Sequence, residues 1–170
     1  MAGNAWLSME AQVTIYNSLF KSVLTYGHES WILTERIRSR VQAAEMRFLR
    51  RIVGVSRINQ IRYSRIREAI AIESLLLQVE RSQLQWLGHV LRMPNCRLVK
   101  QVFDAVPDGQ RPVGRPRTRW IDQMDALLRR AGTNLNDAVA IAGDRLEWQR
   151  LVSRLPPRPE WIRRVTIMNE

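Results

Sequence analysis

The sequence predicts an all-α protein, a helical bundle of about seven to eight helices with no sheet. Three observations carry that prediction. Apolar residues recur at helical spacing along most of the chain. No alternating apolar–polar run or hairpin dipeptide competes with them. Capping residues, glycines and prolines fall where such helices would start and stop. A chain of 170 residues that is 45% apolar and 25% charged can bury a sizeable core.

The first helix is expected over residues 8–26, with Val13, Tyr16, Phe20 and Val23 on its inner face and Gly27 as its terminator. Thr34 is a suitable N-cap for a second, running to Val53 and ending at Gly54. Its apolar stripe reads Ile37, Val41, Ala44, Phe48 and Ile52. A short helix over residues 64–70 is followed by a longer one over 74–93, with Leu76, Val79, Gln83, Trp86, Leu87 and Val90 inward and Pro94 stopping it. Residues 97–106 form another short helix. The stretch 107–116, rich in Pro, Gly and Arg, is a linker. Helices over 117–131, 134–142 and 144–155 close the fold. This divides the chain into a helical pair (8–57), connecting helices (58–110), a C-terminal helical subdomain (111–155) and a loose tail (156–170).

The formal charge of +11 sets this composition apart, and it is carried by arginine, since Lys21 and Lys100 are the only lysines. A guanidinium grips phosphate with two parallel hydrogen bonds, so the bias fits a nucleic-acid partner. A GC-rich coding sequence would produce the same bias without function. At about 100° per residue, Arg36, Arg40, Arg47 and Arg51 share one stripe of the second helix, with Arg50 beside it. The stripe is expected to flank the apolar face, with Glu45 and Glu35 the acidic residues available to offset it and Arg57, Arg62, Arg65 and Arg67 extending the patch. It reads either as a row of phosphate contacts or as a solvated charged face.

Gly114 to Arg117 resembles the core of a minor-groove AT-hook, which makes Arg115 and Arg117 candidate DNA contacts, although Val113 stands where a hook wants a basic residue. A stiff linker with Pro116 opening the next helix explains the same residues. His89 beside Trp86 is expected to pack on the indole and bond a carbonyl. Trp31, Trp86, Trp120 and Trp148 sit where core packing suits them better than base stacking. The single Cys96 and the separated His28 and His89 provide no zinc cluster. Asp122 and Asp125 lie one turn apart, and Asp104 and Asp108 flank the linker, with no adjacent Asp-Asp pair to hold magnesium. No catalytic residue, metal or cofactor is expected. No apolar run approaches a membrane span and no secretion signal opens the chain, so the expected location is intracellular, nucleus or cytoplasm.

Several runs, taken in order, resemble a known family. Residues 15–19 and 23–31 are similar to the segment that follows the polymerase core of non-LTR (LINE-type) retrotransposon reverse transcriptases. Residues 45–55 resemble its next block, and 66–68, Trp86 to Pro94, Gly114 to Trp120 and Asp144 to Trp148 match later ones. The resemblance covers residues 12–155. It implies a thumb-like helical pair and the post-polymerase region of an RNA-directed DNA polymerase, without the palm that carries the family's catalytic aspartates. The implied partner is a primer-template duplex of DNA or RNA, or the element RNA, with the missing palm supplied in trans. Met1 then opens a truncated copy, and residues 156–170 have no family counterpart. A helical protein-interaction module and a non-functional retrotransposon remnant are the other readings.

Overall fold

The computed structural model describes residues 7–105, 114 and 117–158. Every regular element among them is helical, which agrees with the all-α expectation.

Ser8 caps α1 (Met9–Ile15), its side chain accepting from the Ala11 amide. The rod continues through a π-helical turn, Tyr16–Phe20, into α2 (Lys21–Leu24). Its i→i+5 bonding is wider than an α turn and moves later residues out of phase. Tyr16 and Phe20 therefore stack at 5.6 Å, and Phe20 meets Phe48 of the next helix at 4.6 Å. Val23, expected on the inner face, is instead 78% exposed. Gly27 has φ of 68°, a left-handed conformation that favours glycine, and opens a 3-10 turn over His28–Ser30.

The limits of α3 (Glu35–Val53) match the sequence reading, with the Thr34 cap at one end and Gly54 at φ 72° at the other. Its inner face does not. The buried residues are Arg38, Val41, Glu45, Met46 and Leu49, so the helix is rotated by about one residue from the expected stripe. Ile37 lies at the surface, while Ala44, Phe48 and Ile52 are half-buried. The charged residues at positions 38 and 45 hid this face from an apolar-only reading, because each is neutralised inside the protein.

After α4 (Tyr63–Ala69), α5 (Leu75–Leu91) forms the axis of the fold, touching the 3-10 turn, α3, α6 (Leu98–Asp104), α7 (Trp120–Arg130), α8 (Leu135–Ala142) and α9 (Arg145–Ser153). Val79, Gln83, Leu87 and Val90 are buried as expected, whereas Leu76 and Trp86 are half-buried. The helix is enclosed beyond one stripe, so Leu75, Leu77 and Leu84 are buried too. Asn134 and Asp144 cap α8 and α9, and Asp122 caps α7 by accepting from the Arg119 amide.

Two apolar clusters result. Tyr16, Met46, Leu49, Ile66 and Ile70 join the first rod, α3 and α4. Leu84, Leu87, Met124, Leu127, Leu128, Ala138, Trp148 and Val152 lie in a second cluster built from α5, α7, α8 and α9. In the second, Trp148 lies across α5 and donates its indole N–H to the Leu84 carbonyl at 3.1 Å. A Cβ at Gly88 would come within 2.5 Å of Trp148 Cε2. The glycine in the Trp86 to Pro94 run is thus the slot for the tryptophan of the Asp144 to Trp148 run.

Polar residues join the clusters. Glu80 of α5 receives Arg38 from α3 and Arg130 from α7, each at 2.5 Å, and Arg158 at 2.9 Å. Gln83 donates to the carbonyls of His28 and Trp31 and accepts from Gln123, whose own side-chain oxygen takes the Leu33 amide. Glu45 of α3 bonds Arg67 at 2.8 Å, the Leu75 amide at 3.0 Å and the Tyr16 hydroxyl at 3.4 Å. Burial, and then the Glu45 carboxylate, push the Tyr16 hydroxyl well above the usual tyrosine range and keep it a donor. The tail is anchored where it is described: Pro156 accepts from Arg130, and Arg158 reaches Glu80. Residues 159–170 and most of the expected linker lie outside the described residues.

Gly88→Ala is expected to lower the urea midpoint, although alanine is the better helix former by about 1 kcal/mol. Overlap with Trp148 opposes that gain at a cost of ~1–3 kcal/mol or more.

Glu80→Gln strips the counter-charge from buried Arg38 and should cost about 3–5 kcal/mol in chemical denaturation. Burial alone would raise the Glu80 carboxyl, but the hydrogen bonds and charges of Arg130 and Arg38 outweigh it and hold it below the usual carboxylate range. The unfolded chain therefore takes up this proton first. Wild-type stability should fall from about pH 5 downward, and the Glu80→Gln profile should be flatter there.

Candidate nucleic-acid interface

Rotation of α3 sets the geometry of the arginine row. With Arg38, Val41, Glu45 and Leu49 facing inward, the row of Arg36, Arg40, Arg47 and Arg51 opposes the buried face instead of flanking it. All four are exposed, and among the described residues none forms an ion pair. The row runs for ~22 Å along the helix axis. Arg50 is half-buried and lies 5.2 Å above the Tyr63 ring of α4, a cation–π contact that ties it to the scaffold.

Glu45 offsets none of this surface charge, contrary to the sequence reading. It is 0% exposed and serves the interior. Arg67, expected to extend the patch, turns inward to meet it. Glu35 stays at the surface, 3.7 Å from both Arg38 and Arg158. Arg57, Arg62 and Arg65 are exposed on the segment that follows α3.

The second set of candidates is divided. Arg117 is exposed, and Arg115 lies outside the described residues. Arg119 binds Asp122 through its backbone amide and guanidinium, so this residue closes the start of α7. The Asp122 carboxylate also raises Arg119 above its usual pKa. Asp125 pairs with Arg129, and Asp104 with Lys100. Among the described residues no three His, Cys, Asp or Glu side chains gather to hold a metal ion. His89 is exposed and sits 5.4 Å from Trp86, and among the described residues it makes no carbonyl bond of the kind expected of it.

The tryptophans divide by what their indole N–H does. Trp120 donates to the Glu29 carbonyl at 2.7 Å and Trp148 to Leu84, so both are structural joints. Trp31 is half-buried and lines an open groove with Ile32, Ile37, Arg40 and Val41, directly beside the arginine row. Sequence reasoning assigned Trp31 to the core and missed this groove. The exposure of Ile37 was the missing signal, and it depends on the rotation of α3.

A transposon-derived protein of Caenorhabditis elegans is 30% identical over a 151-residue alignment that covers 84% of this chain and 54% of that protein. The similarity supports a transposon origin. The chain spans about half the length of the curated relative it matches. No family model matches the chain, and no solved structure matches it. No helix among the described residues is long and apolar enough to cross a membrane.

Structural and surface arginines should separate in denaturation experiments. Arg36, Arg40, Arg47 and Arg51 changed singly to Gln should each shift stability by no more than about 0.5 kcal/mol. Arg67→Ala leaves Glu45 buried with its main counter-charge gone and should cost about 3–5 kcal/mol.

Proposed function

We propose that this chain is the thumb and post-polymerase region of a non-LTR retrotransposon reverse transcriptase, and that it binds nucleic acid along α3. The observation that carries the binding claim is the exposed row of Arg36, Arg40, Arg47 and Arg51, which forms no ion pair among the described residues. Arg38, Arg67 and Arg130 are matched to the buried carboxylates Glu45 and Glu80, whereas the row has no such task among the described residues. Guanidinium groups in a line on a rigid helix suit the phosphates of a duplex or of structured RNA. The family assignment is supported by the ordered series of motif runs and by similarity to a transposon-derived protein.

On this reading the parent activity is RNA-directed DNA synthesis, with catalysis belonging to a palm outside this chain. The chain would hold the primer-template, or element RNA, and work beside a palm supplied in trans. Its place is then inside the cell, in the nucleus or cytoplasm where the element's RNA is found. A second reading, a helical module that binds another protein, draws on α6, where Leu98 is 73% and Val102 67% exposed.

Binding to a DNA or RNA duplex should weaken steeply with salt. Replacing Arg36, Arg40, Arg47 and Arg51 together by Gln should flatten the log–log slope by about 3–4, since each lost phosphate contact removes ~0.9 for B-DNA. An unchanged slope places the contact elsewhere. No duplex or RNA binding at all favours the protein-interaction module.

A further inference from the structure

We infer that the groove beside Arg40 is a nucleobase pocket: it takes an unstacked base from a single-stranded stretch of the nucleic acid whose phosphates lie on the arginine row. The inference rests on the nucleic-acid reading above and adds to it a second kind of contact.

Three observations on different residues carry it. Among the described residues the groove is lined by the Trp31 indole and by Ile32, Ile37 and Val41, with Arg40 as the one charged member. A flat apolar ligand with an anionic attachment suits such a lining: the ring stacks or packs, and the attached phosphate meets the guanidinium. Trp31 is chemically available, because its indole N–H makes no hydrogen bond among the described residues, whereas those of Trp120 and Trp148 are engaged. Arg36 precedes Arg40 by one helical turn, a step of ~6 Å, so phosphates on either side of the held base find a second cation in line.

Charge complementarity selects an anionic occupant over a neutral or basic protein segment, and the Trp31 indole among apolar walls suits a flat base. The rim is formed by exposed arginines that have no ion-pair partner among the described residues, and a neutral or basic helix laid in the groove would leave them unanswered. Duplex DNA supplies the phosphates but keeps its bases stacked. The pocket is therefore expected to prefer single-stranded segments, or the frayed end of a duplex, over a blunt continuous helix.

The test compares a thymine oligonucleotide with an abasic oligonucleotide of the same length and phosphate count, titrated against the whole chain. Wild-type protein should bind the thymine oligonucleotide about tenfold more tightly, the order expected for one stacked base. Trp31→Leu should lose that preference while keeping its salt slope. Ile37→Glu, a change at a surface position, should lose it too and serves if Trp31→Leu fails to fold. Equal wild-type binding of the two oligonucleotides, with a steep salt slope, overturns the pocket and leaves the phosphate row standing. Retention of the preference in a folded Trp31→Leu protein, or in Ile37→Glu, also overturns the pocket. Failure to bind either oligonucleotide, or any duplex or RNA, overturns both readings.

Discussion

The carboxylate of Glu80, buried in the N-terminal half of α5, draws in Arg38 from α3, Arg130 from α7 and Arg158 from the tail. One acidic group thereby fixes how the N-terminal helices, the C-terminal helices and the end of the described chain meet the axial helix. Such a joint adds little net stability over a well-packed apolar core, because desolvating the ions offsets much of their attraction. Its effect is on geometry. Removing Glu80 leaves Arg38 and Arg130 stranded in a poor solvent, so arrangements in which these groups miss the carboxylate are strongly disfavoured.

The orientation of α3 follows from that joint and from Glu45. Both residues that α3 contributes, Arg38 and Glu45, lie on its inner face and are satisfied there by partners from α4 and α5 and by the Leu33 carbonyl. With them inward, the opposite face must carry Arg36, Arg40, Arg47 and Arg51. The basic row and the groove at Trp31 are thus consequences of how the core is wired. A similar economy applies to the run around Trp31, whose backbone carbonyls at His28, Glu29 and Trp31 are taken by Gln83 and Trp120. That wiring holds the wall of the groove while leaving the Trp31 ring beside the arginines.

The short motif runs of the sequence take on a physical meaning in this light. Gly88 admits Trp148, Trp120 pins α7 to the 3-10 turn, and Gly27 and Gly54 end their elements in left-handed conformations. These residues are joints between helices. Their types are demanding because a Cβ at Gly88 or a smaller ring at 148 changes a close contact, and close-packed interiors tolerate such changes poorly.

The sequence by itself determined the helices and most of their limits, because caps, prolines, glycines and apolar period act within a few residues of each other. Thr34, Gly54, Pro94, Asn134 and Asp144 all behave as their local chemistry requires. It also located the arginine row, since sharing a helix face is a matter of spacing alone. Tertiary structure alone decided which way that face points, whether Arg67 belongs to the surface, and whether Trp31 is core or groove. It also decided that a π turn puts Val23 outside. Each of those outcomes turns on partners distant in the chain, such as Arg38 with Glu80 or Glu45 with Leu75. A buried charge looks like a surface charge until its counter-ion is known, and that counter-ion arrives only when the helices pack.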